Sequence, residues 1–236
     1  MRFYVYCLVE KLDTPVAVSG ISGAGVEVIN LEGMSLLVSR FEAESALVTP
    51  ENVLTHDTVV RSVLNETTPL PFRFGSVVTE QQLASYMSTH RASLETKLAQ
   101  LRGCLEMSVK IISSTGKPES DSKRDDSGPG TAFLQQKQRE IVGSERRSEQ
   151  AREVADWLKL QVETYVRQEA VSLCPTEKLI VAAAHLISRD QVAEYRGRLS
   201  EARKTRPELH FLVSEPWPPY TFSNIELEFK TRFGVS

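Results

Sequence analysis

The sequence lacks several features that would assign a class of protein at once. Its longest nearly apolar stretch, residues 179–187, includes His185, whereas a membrane-spanning helix needs about 20 apolar residues. Basic residues are not in excess either, because 28 lysines and arginines face 31 aspartates and glutamates, for a net charge of −3. Nucleic-acid binding requires clustered positive charge. We therefore expect no association with nucleic acid or with a lipid membrane.

Cysteine is scarce as well. Cys7, Cys104 and Cys174 lie far apart in apolar, strand-like segments, a pattern typical of buried free thiols rather than of a disulfide or a metal site. The N-terminus reaches Glu10 and Lys11 without an extended apolar region or a small-residue cleavage site. This pattern predicts no signal peptide and a cytoplasmic protein.

Motifs of enzymes and cofactor sites are missing. The stretch SGISGAG matches no phosphate-binding pattern, and the sequence contains no HExxH, GxSxG or CxxC motif. His56 and Asp57 are adjacent, so on a helix they point about 100° apart and form no oriented dyad. His90, His185 and His210 lie on apolar helix or strand patterns, which favours structural roles. We predict no catalytic residue, no cofactor, no metal ligand and no enzymatic activity.

The first part of the chain alternates strand and helix patterns. Residues 2–10 are apolar on both faces and aromatic-rich, which predicts a central strand. Residues 26–31 and 34–41 flank Glu32-Gly33 and predict a hairpin. Thr49 and Thr79 are suited to cap helices that begin at Pro50 and at residue 80. Proline in PLPFRFGSVV predicts an edge strand. We expect an N-terminal α+β sandwich domain over residues 1–103.

The second part follows a β-α-β-β-α-β order, which is that of a ferredoxin-like domain. The strands are predicted at 104–112, 170–174, 178–188 and 209–213, and the helices at 131–167 and 190–204. The polar first half of the long helix is either an arm for a partner or a solvated helix. Residues 113–128 lack large apolar side chains and predict a mobile loop. The sequence thus predicts a two-domain α+β fold, with the ferredoxin-like domain over 104–236 and an aromatic, proline-rich tail at 215–236.

Two clusters of proline and aromatic residues are the most distinctive features. The first is PLPFRF, where Arg73 lies between two aromatic residues and can stack on a ring or bind a carboxylate. The second, PWPPYTF, has few backbone donors and a large apolar surface. It is either a C-terminal clamp across the domain interface or an aromatic docking surface. The residues predicted to bind a partner are Phe72, Arg73, Phe74, Trp217, Tyr220 and Phe222.

A set of segments along the chain carries a family resemblance. In order, they are FYVYCLVE, LTHDTVVRSVL, LPFRFGSVV, LEMSVKI, GTAFLQQK, AAAHLISRDQVAEY and PWPPYTF. Together they resemble the gas vesicle protein L/F family (GvpL/GvpF), and the pairing of LPFRFG with PWPPYTF is specific to it. Glu215 departs from the family pattern, which usually has glycine before the tryptophan.

The resemblance implies a non-enzymatic assembly and minor structural protein of gas vesicles. Its implied partners are the very hydrophobic major shell protein, which it would keep from aggregating prematurely, and other gas vesicle accessory proteins. The implied fold is two α+β domains, the second ferredoxin-like. The alternative is a small-molecule-binding or enzymatic ferredoxin-like α+β protein, which would require His56, Asp57 and Arg73 to converge around a pocket.

Overall fold

The computed structural model describes residues 1–225 apart from 13, 15, 114–128, 175 and 177, and of residues 129–142 it describes only the backbone. The chain divides into two compact units. The first contains residues 1–106 together with the C-terminal segment from Pro216, and the second is Met107–Glu215. The predicted mobile loop lies outside the described residues, apart from Ser113.

The first unit is built on a five-stranded sheet whose order is β2-β3-β1-β4, with β5 also pairing with β1. All residues of β1 except Arg2 are buried. The strand pairs with β3 on one side and with β4 and β5 on the other. Because antiparallel partners flank β1 on both sides, the predicted central strand is confirmed. The strands are β1 Arg2–Val9, β2 Glu27–Leu31, β3 Met34–Phe41, β4 Leu70–Pro71 and β5 Val77–Thr79.

The predicted hairpin between β2 and β3 is present with a two-residue turn. Leu31 pairs with Met34, and both turn residues have positive φ, 52° at Glu32 and 81° at Gly33. This left-handed pair suits the right-handed twist of the strands that it joins. Glycine at the second position is favoured because it adopts a positive φ without steric cost.

Two helices pack on this sheet, α1 Pro50–Ser62 and α2 Glu80–Leu101. Thr49 caps α1 by accepting a hydrogen bond from the Asn52 N–H at 3.2 Å. Thr79 and Gln82 form a reciprocal capping box at the start of α2. Both caps agree with the sequence prediction. α2 buries Leu83, Met87, Leu94, Leu98 and Leu101, whereas His90, which was expected on this buried stripe, is exposed.

The second unit has a four-stranded sheet in the order β7-β8-β6-β9. Its elements are β6 Cys104–Ser113, α3 Pro129–Val162, β7 Val166–Leu173, β8 Leu179–Ser188, α4 Val192–Thr205 and β9 Leu209–Val213. Their order along the chain is the one that the sequence predicts. Helices α3 and α4 share one apolar core with the sheet, in which Val154, Leu158 and Tyr195 pack against β6 and β8 residues. Residues 144–149 of α3 are largely exposed.

The C-terminal segment differs from the predicted arrangement. The sequence assigns residues 215–236 to the second domain, whereas the described residues from 216 to 225 belong to the first unit. The described part, residues 216–225, contains a short helix, α5 Tyr220–Ser223. The physical reason is a backbone pairing with Glu106, which is described below.

Gly20 approaches a buried hydrogen bond between the Tyr6 hydroxyl and Ser39 Oγ, which are 3.0 Å apart. A Cβ at Gly20 would overlap both oxygen atoms. We expect Gly20→Ala to lower the free energy of unfolding by about 1–3 kcal/mol, the usual effect of overpacking a core. Urea unfolding followed by circular dichroism would measure this.

Gly25→Ala is the matched control, because no atom lies within 4 Å of a Cβ built there. Its free energy of unfolding should change by less than about 0.5 kcal/mol. Equal losses in the two variants would contradict the proposed overlap at Gly20.

Candidate functional site

The six residues predicted to bind a partner lie in two stretches of the first unit. Phe72 and Phe222 are buried in the core. Arg73 is exposed, while Phe74 and Tyr220 are half-buried. Trp217 keeps 37% of its surface accessible. Arg73 and Trp217 are therefore the most accessible of the six.

Phe72, Arg73 and Phe74 lie in a turn between β4 and β5, where the sequence predicts one continuous edge strand. The Phe72 N–H donates to the Tyr6 carbonyl at 2.9 Å, and the Ser76 carbonyl accepts from the Val5 N–H at 2.9 Å. Between these contacts, Gly75 adopts a φ of 87° and turns the chain away from β1. The edge is thus split into two short strands by a turn that needs glycine.

The C-terminal segment 216–225, which we name the C-terminal clasp, is tied to Glu106. The Trp217 N–H donates to the Glu106 carbonyl, and the Glu106 N–H donates to the Trp217 carbonyl, both at 2.9 Å. The Glu106 carboxylate accepts from the Thr221 N–H at 2.8 Å and from Thr221 Oγ1 at 2.6 Å. Burial raises the pKa of Glu106, and the two Thr221 hydrogen bonds partly offset that effect. The Glu106 side chain thus accepts both hydrogen bonds that Thr221 donates at the start of α5.

A second set of contacts holds the clasp to α1. The Arg61 guanidinium lies 3.6 Å from the centre of the Trp217 ring and forms an ion pair with Asp57 at 2.7 Å. The Tyr220 hydroxyl donates to Asp57 Oδ1 at 3.3 Å. Burial raises the pKa of Tyr220, and the Asp57 charge adds to that rise. Asp57 is therefore shared by a cation and a phenol.

His56 lies in a buried aromatic cage next to the clasp. The rings of Tyr4, Tyr6, Phe74 and Tyr220 have centres 5.7, 5.7, 5.9 and 6.4 Å from the imidazole. The Tyr4 hydroxyl accepts from the Gly75 N–H at 3.1 Å and lies 2.9 Å from His56 Nδ1. Which of the two atoms donates depends on the tautomer of the neutral ring.

Burial is the main reason why the pKa of His56 falls from 6.5 to about 4, and the Asp57 charge and the Phe72 carbonyl oppose this shift. Despite that carbonyl, Nε2 is buried without a hydrogen-bond partner of good geometry among the described residues. A neutral, enclosed imidazole is suited to packing. It is not placed to exchange protons with a substrate in solvent.

The second unit contains a similar pair. His185 Nδ1 on β8 lies 2.6 Å from the Tyr195 hydroxyl on α4, and both residues are buried. Burial lowers the pKa of His185 to about 4, while the Glu169 charge opposes the shift. His90 stacks on Tyr86 with ring centres 4.5 Å apart, and His210 is exposed. His56 and His185 are therefore buried, whereas His90 and His210 are at the surface.

In the described part of the chain, no three His, Cys, Asp or Glu side chains are grouped so that they could share a metal ion. All three cysteines are free thiols; Cys7 and Cys104 are buried, whereas Cys174 is only half-buried, which corrects its predicted burial. No described helix is both long and apolar enough to span a bilayer.

Comparison with known sequences identifies relatives along nearly the whole chain. The family model described as gas vesicle synthesis protein GvpL/GvpF matches residues 2–224. Gas vesicle protein L2 of Halobacterium salinarum is 26% identical, with 93% of this chain and 90% of the relative covered. Gas vesicle protein F of Haloferax mediterranei is also 26% identical, with 96% and 95% covered.

Two solved structures share the fold. The crystal structure of gas vesicle protein GvpF from Anabaena sp. superposes with a TM-score of 0.79 at 21% identity, covering 95% of this chain and 99% of that one. The GvpF structure from Microcystis aeruginosa gives a TM-score of 0.74 at 22% identity, with the same coverage. The mixed helix-and-sheet fold is therefore shared with these proteins.

The two buried histidines predict a loss of stability in acid. Both have a folded-state pKa of about 4, below the ordinary 6.5, so the unfolded chain binds protons that the folded chain does not. Above about pH 6.5 the two histidines cost no stability. Their contribution lowers the free energy of unfolding as the pH drops from 6.5 to 4, and the loss levels off below pH 4 at roughly 3 kcal/mol for each histidine. Unfolding free energies measured across this range would show the slope.

His56→Gln should reduce that slope, because one of the two protons is no longer taken up. Tyr4→Phe is the control, since it removes the hydroxyl bonded to His56 and keeps the imidazole. This variant should be less stable at pH 7 and still depend on pH. A slope unchanged by His56→Gln would show that His56 does not titrate in this way.

The clasp depends on the Thr221 hydroxyl. Thr221→Val keeps the shape of the side chain and removes a hydrogen bond to the buried Glu106 carboxylate, so it should cost about 1–3 kcal/mol. Amide hydrogen exchange at Trp217 and Thr221 should speed up accordingly. Thr221→Ser retains the hydroxyl and should restore slow exchange. Slow exchange in the valine variant would mean that the hydrogen bond contributes little to holding the clasp.

Proposed function

Because the chain belongs to the gas vesicle synthesis protein GvpL/GvpF family, we propose that it is an assembly and minor structural protein of gas vesicles. It binds the hydrophobic major shell protein and limits that protein's premature aggregation while vesicles nucleate. Other gas vesicle accessory proteins are further partners. The protein acts in the cytoplasm and on the vesicle, without a cofactor, enzymatic activity, or contact with nucleic acid or a lipid membrane. The observation that carries the proposal is the family match over residues 2–224.

An exposed aliphatic surface at the start of α1 supports a hydrophobic partner. Leu47, Val48, Val53 and Leu54 have exposed fractions of 75, 70, 42 and 67%. Four large aliphatic side chains within eight residues are more than the scattered exposure that is normal on a monomer. A partner that buries them would gain the free energy of removing apolar area from water.

The same helix face leads to the clasp. Leu54, Thr58 and Arg61 follow one another at helical spacing, and Arg61 stacks on the accessible Trp217 ring. We propose that Leu54 and Trp217 belong to one docking surface for the major shell protein. A stacked arginine keeps the indole ordered before a partner binds, which lowers the entropy lost on binding.

The predicted partner-binding residues then have different roles. Trp217 and Arg73 contact the partner directly because they are the most accessible. Phe74 and Tyr220 support them from half-buried positions beside the His56 ring. Phe72 and Phe222 are buried and maintain the core beneath the surface. The exposed part of α3, residues 144–149, is a further contact for an accessory protein.

The physical need for such a protein follows from the shell. A subunit that forms a water-excluding wall exposes apolar surface and strand edges before it assembles, and such surfaces aggregate. A soluble adaptor with a net charge of −3 and one aliphatic surface covers the apolar surface of the shell subunit reversibly. The adaptor is released when the subunit joins the shell.

We propose a ferredoxin-like fold for the second unit. Its elements run β-α-β-β-α-β, and its sheet order places β6 and β8 between the edge strands β7 and β9. The first unit is an α+β domain completed by the clasp. The boundary lies near residues 103–106, with the chain from Pro216 assigned to the first domain.

The test is binding and chaperoning of the purified major shell protein. Leu54→Glu and Trp217→Ala should each weaken binding about tenfold, as expected for residues in the centre of an interface, and should leave light scattering by the shell protein high. Arg73→Ala should weaken binding less.

Leu160→Glu is the matched control, because Leu160 is 66% exposed on α3 of the second unit. It should bind and suppress scattering like the wild type. If folded Leu54→Glu and Trp217→Ala variants both bind normally, the docking surface is excluded. If the wild-type protein neither binds the shell protein nor reduces its scattering, the proposed function itself is wrong.

A further inference from the structure

The outer edge of β9 in the second unit has backbone groups without a sheet partner among the residues that the structure describes. β9 is the last strand in the order β7-β8-β6-β9, and β6 is its one neighbour among the described strands. The Ser214 N–H donates to the Ser108 carbonyl at 2.9 Å. In an antiparallel ladder, the residues that face the neighbouring strand alternate. Counting back from Ser214, Leu212 and His210 face β6, so the N–H and C=O groups of Phe211 and Val213 point away from it.

Leu209 supports this register. Its N–H donates to the Arg206 carbonyl at 3.0 Å rather than to β6. This is expected, because Leu209 precedes Phe211 and Val213 by two and four residues and its backbone groups point to the same side of the strand. The edge thus presents two consecutive outward pairs of donor and acceptor. That is the pattern to which an extended peptide adds as a further strand.

A groove of about 380 Å³ runs beside this edge, between β9 and α4. The side chains of Leu199, Phe211 and Val213 contribute apolar surface to it, and those of Arg196 and Arg203 contribute positive charge. The residues with outward backbone groups are therefore also the residues whose side chains line the groove. A strand added to β9 would place alternate side chains over it.

The two arginines define the chemistry of the occupant. Arg203 is exposed and forms no hydrogen bond or ion pair with any residue that the structure describes. Arg196 bonds through one terminal nitrogen to Glu215 at 2.7 Å and to the Ser214 carbonyl at 3.3 Å. Its Nε is buried without a partner among the described residues. A guanidinium binds a carboxylate best through two nitrogens, and Glu215 occupies only one.

We propose that β9 and its groove form a second binding site, which takes an extended segment of a partner protein bearing an acidic side chain. The segment adds to the edge of β9 through Phe211 and Val213. Its apolar side chains cover the groove, and its carboxylate pairs with Arg203 and Arg196. Glu215, whose side chain is 78% exposed, occupies Arg196 until that segment displaces it.

Other occupants fit less well. A second β9 would bring no carboxylate, because residues 209–213 contain no acidic residue. The opposite edge, β7, has an irregular register near Arg167 and an ion pair between Lys159 and Glu169 at 2.8 Å, features that discourage strand addition.

The experiment selects binders for the full-length protein from a displayed library of random twelve-residue peptides. Enriched peptides should alternate apolar residues and carry Asp or Glu, and their affinity is measured by fluorescence anisotropy. Val213→Pro removes the outward N–H of Val213, which makes no bond to β6. The variant should therefore fold and fail to bind the peptide. Val213→Thr is its control and should bind.

Charge variants test the arginines. Arg203→Gln should weaken binding about tenfold, the effect of losing one charge-assisted pair, whereas Arg152→Gln on α3 should not. Glu215→Gln should tighten binding about threefold, because Arg196 no longer has a competing carboxylate. Replacing the acidic residue of the peptide by its amide removes the pairs with both arginines and should weaken binding at least as much as Arg203→Gln does.

The proposal is overturned by any of four results. They are the absence of enriched peptides, equal binding to folded Val213→Pro, a dimer of the wild type that Val213→Pro dissociates, and binding to anionic phosphatidylserine vesicles that Arg203→Gln abolishes. The last two would assign the edge to a second copy of the chain or to a lipid surface. None of these results depends on the shell protein, so the outcome is separate from that of the proposed function.

Discussion

The first unit depends on the need to satisfy two tyrosine hydroxyls buried in its central strand. Tyr4 and Tyr6 lie on the same side of β1, with ring centres 4.8 Å apart, and an unbonded buried hydroxyl would cost about 1–3 kcal/mol. The Tyr4 hydroxyl bonds to His56 and to the Gly75 N–H. That of Tyr6 lies 3.0 Å from Ser39 Oγ and accepts from the Ile21 N–H at 2.8 Å. These four contacts position α1, the turn after β4, the loop before β2, and β3. The aromatic cage beside the clasp is thus a consequence of two phenols in one strand.

Local patterns were sufficient for much of the architecture. The two apolar faces of β1 predict a central strand, Glu32-Gly33 predicts the hairpin, and Thr49 and Thr79 predict helix starts, because each of these features is decided by residues close in sequence. Tertiary contacts decided the rest. The break between β4 and β5 depends on a bond to Tyr4, and His90 stacks on Tyr86 at the surface instead of entering the core.

The candidate site was predicted only in part for the same reason. The composition of PWPPYTF draws attention to Trp217, since consecutive prolines leave few backbone donors beside a large aromatic surface. Nothing in the sequence links this segment to Arg61, Asp57 or Glu106, because those contacts join residues more than a hundred positions apart and leave no periodic trace. The sequence leaves two alternatives for this segment, a clamp across the domain interface and a docking surface. The described contacts hold it within the first unit, through Glu106, Arg61 and Asp57. The Trp217 ring stays accessible, so the docking surface remains a prediction.

The return of residues 216–225 to the first unit also concerns the order in which the chain is made. The ribosome releases the N-terminal end first, and domains commonly fold as they emerge. In the sequence, the second unit separates Glu106 from its partners in the clasp. Residues 216–225 must therefore be synthesised before Glu106 and Arg61 are covered. A prematurely terminated product would expose both side chains and the aromatic cage behind them. Completion of the first unit therefore reports that translation has reached the end of the clasp.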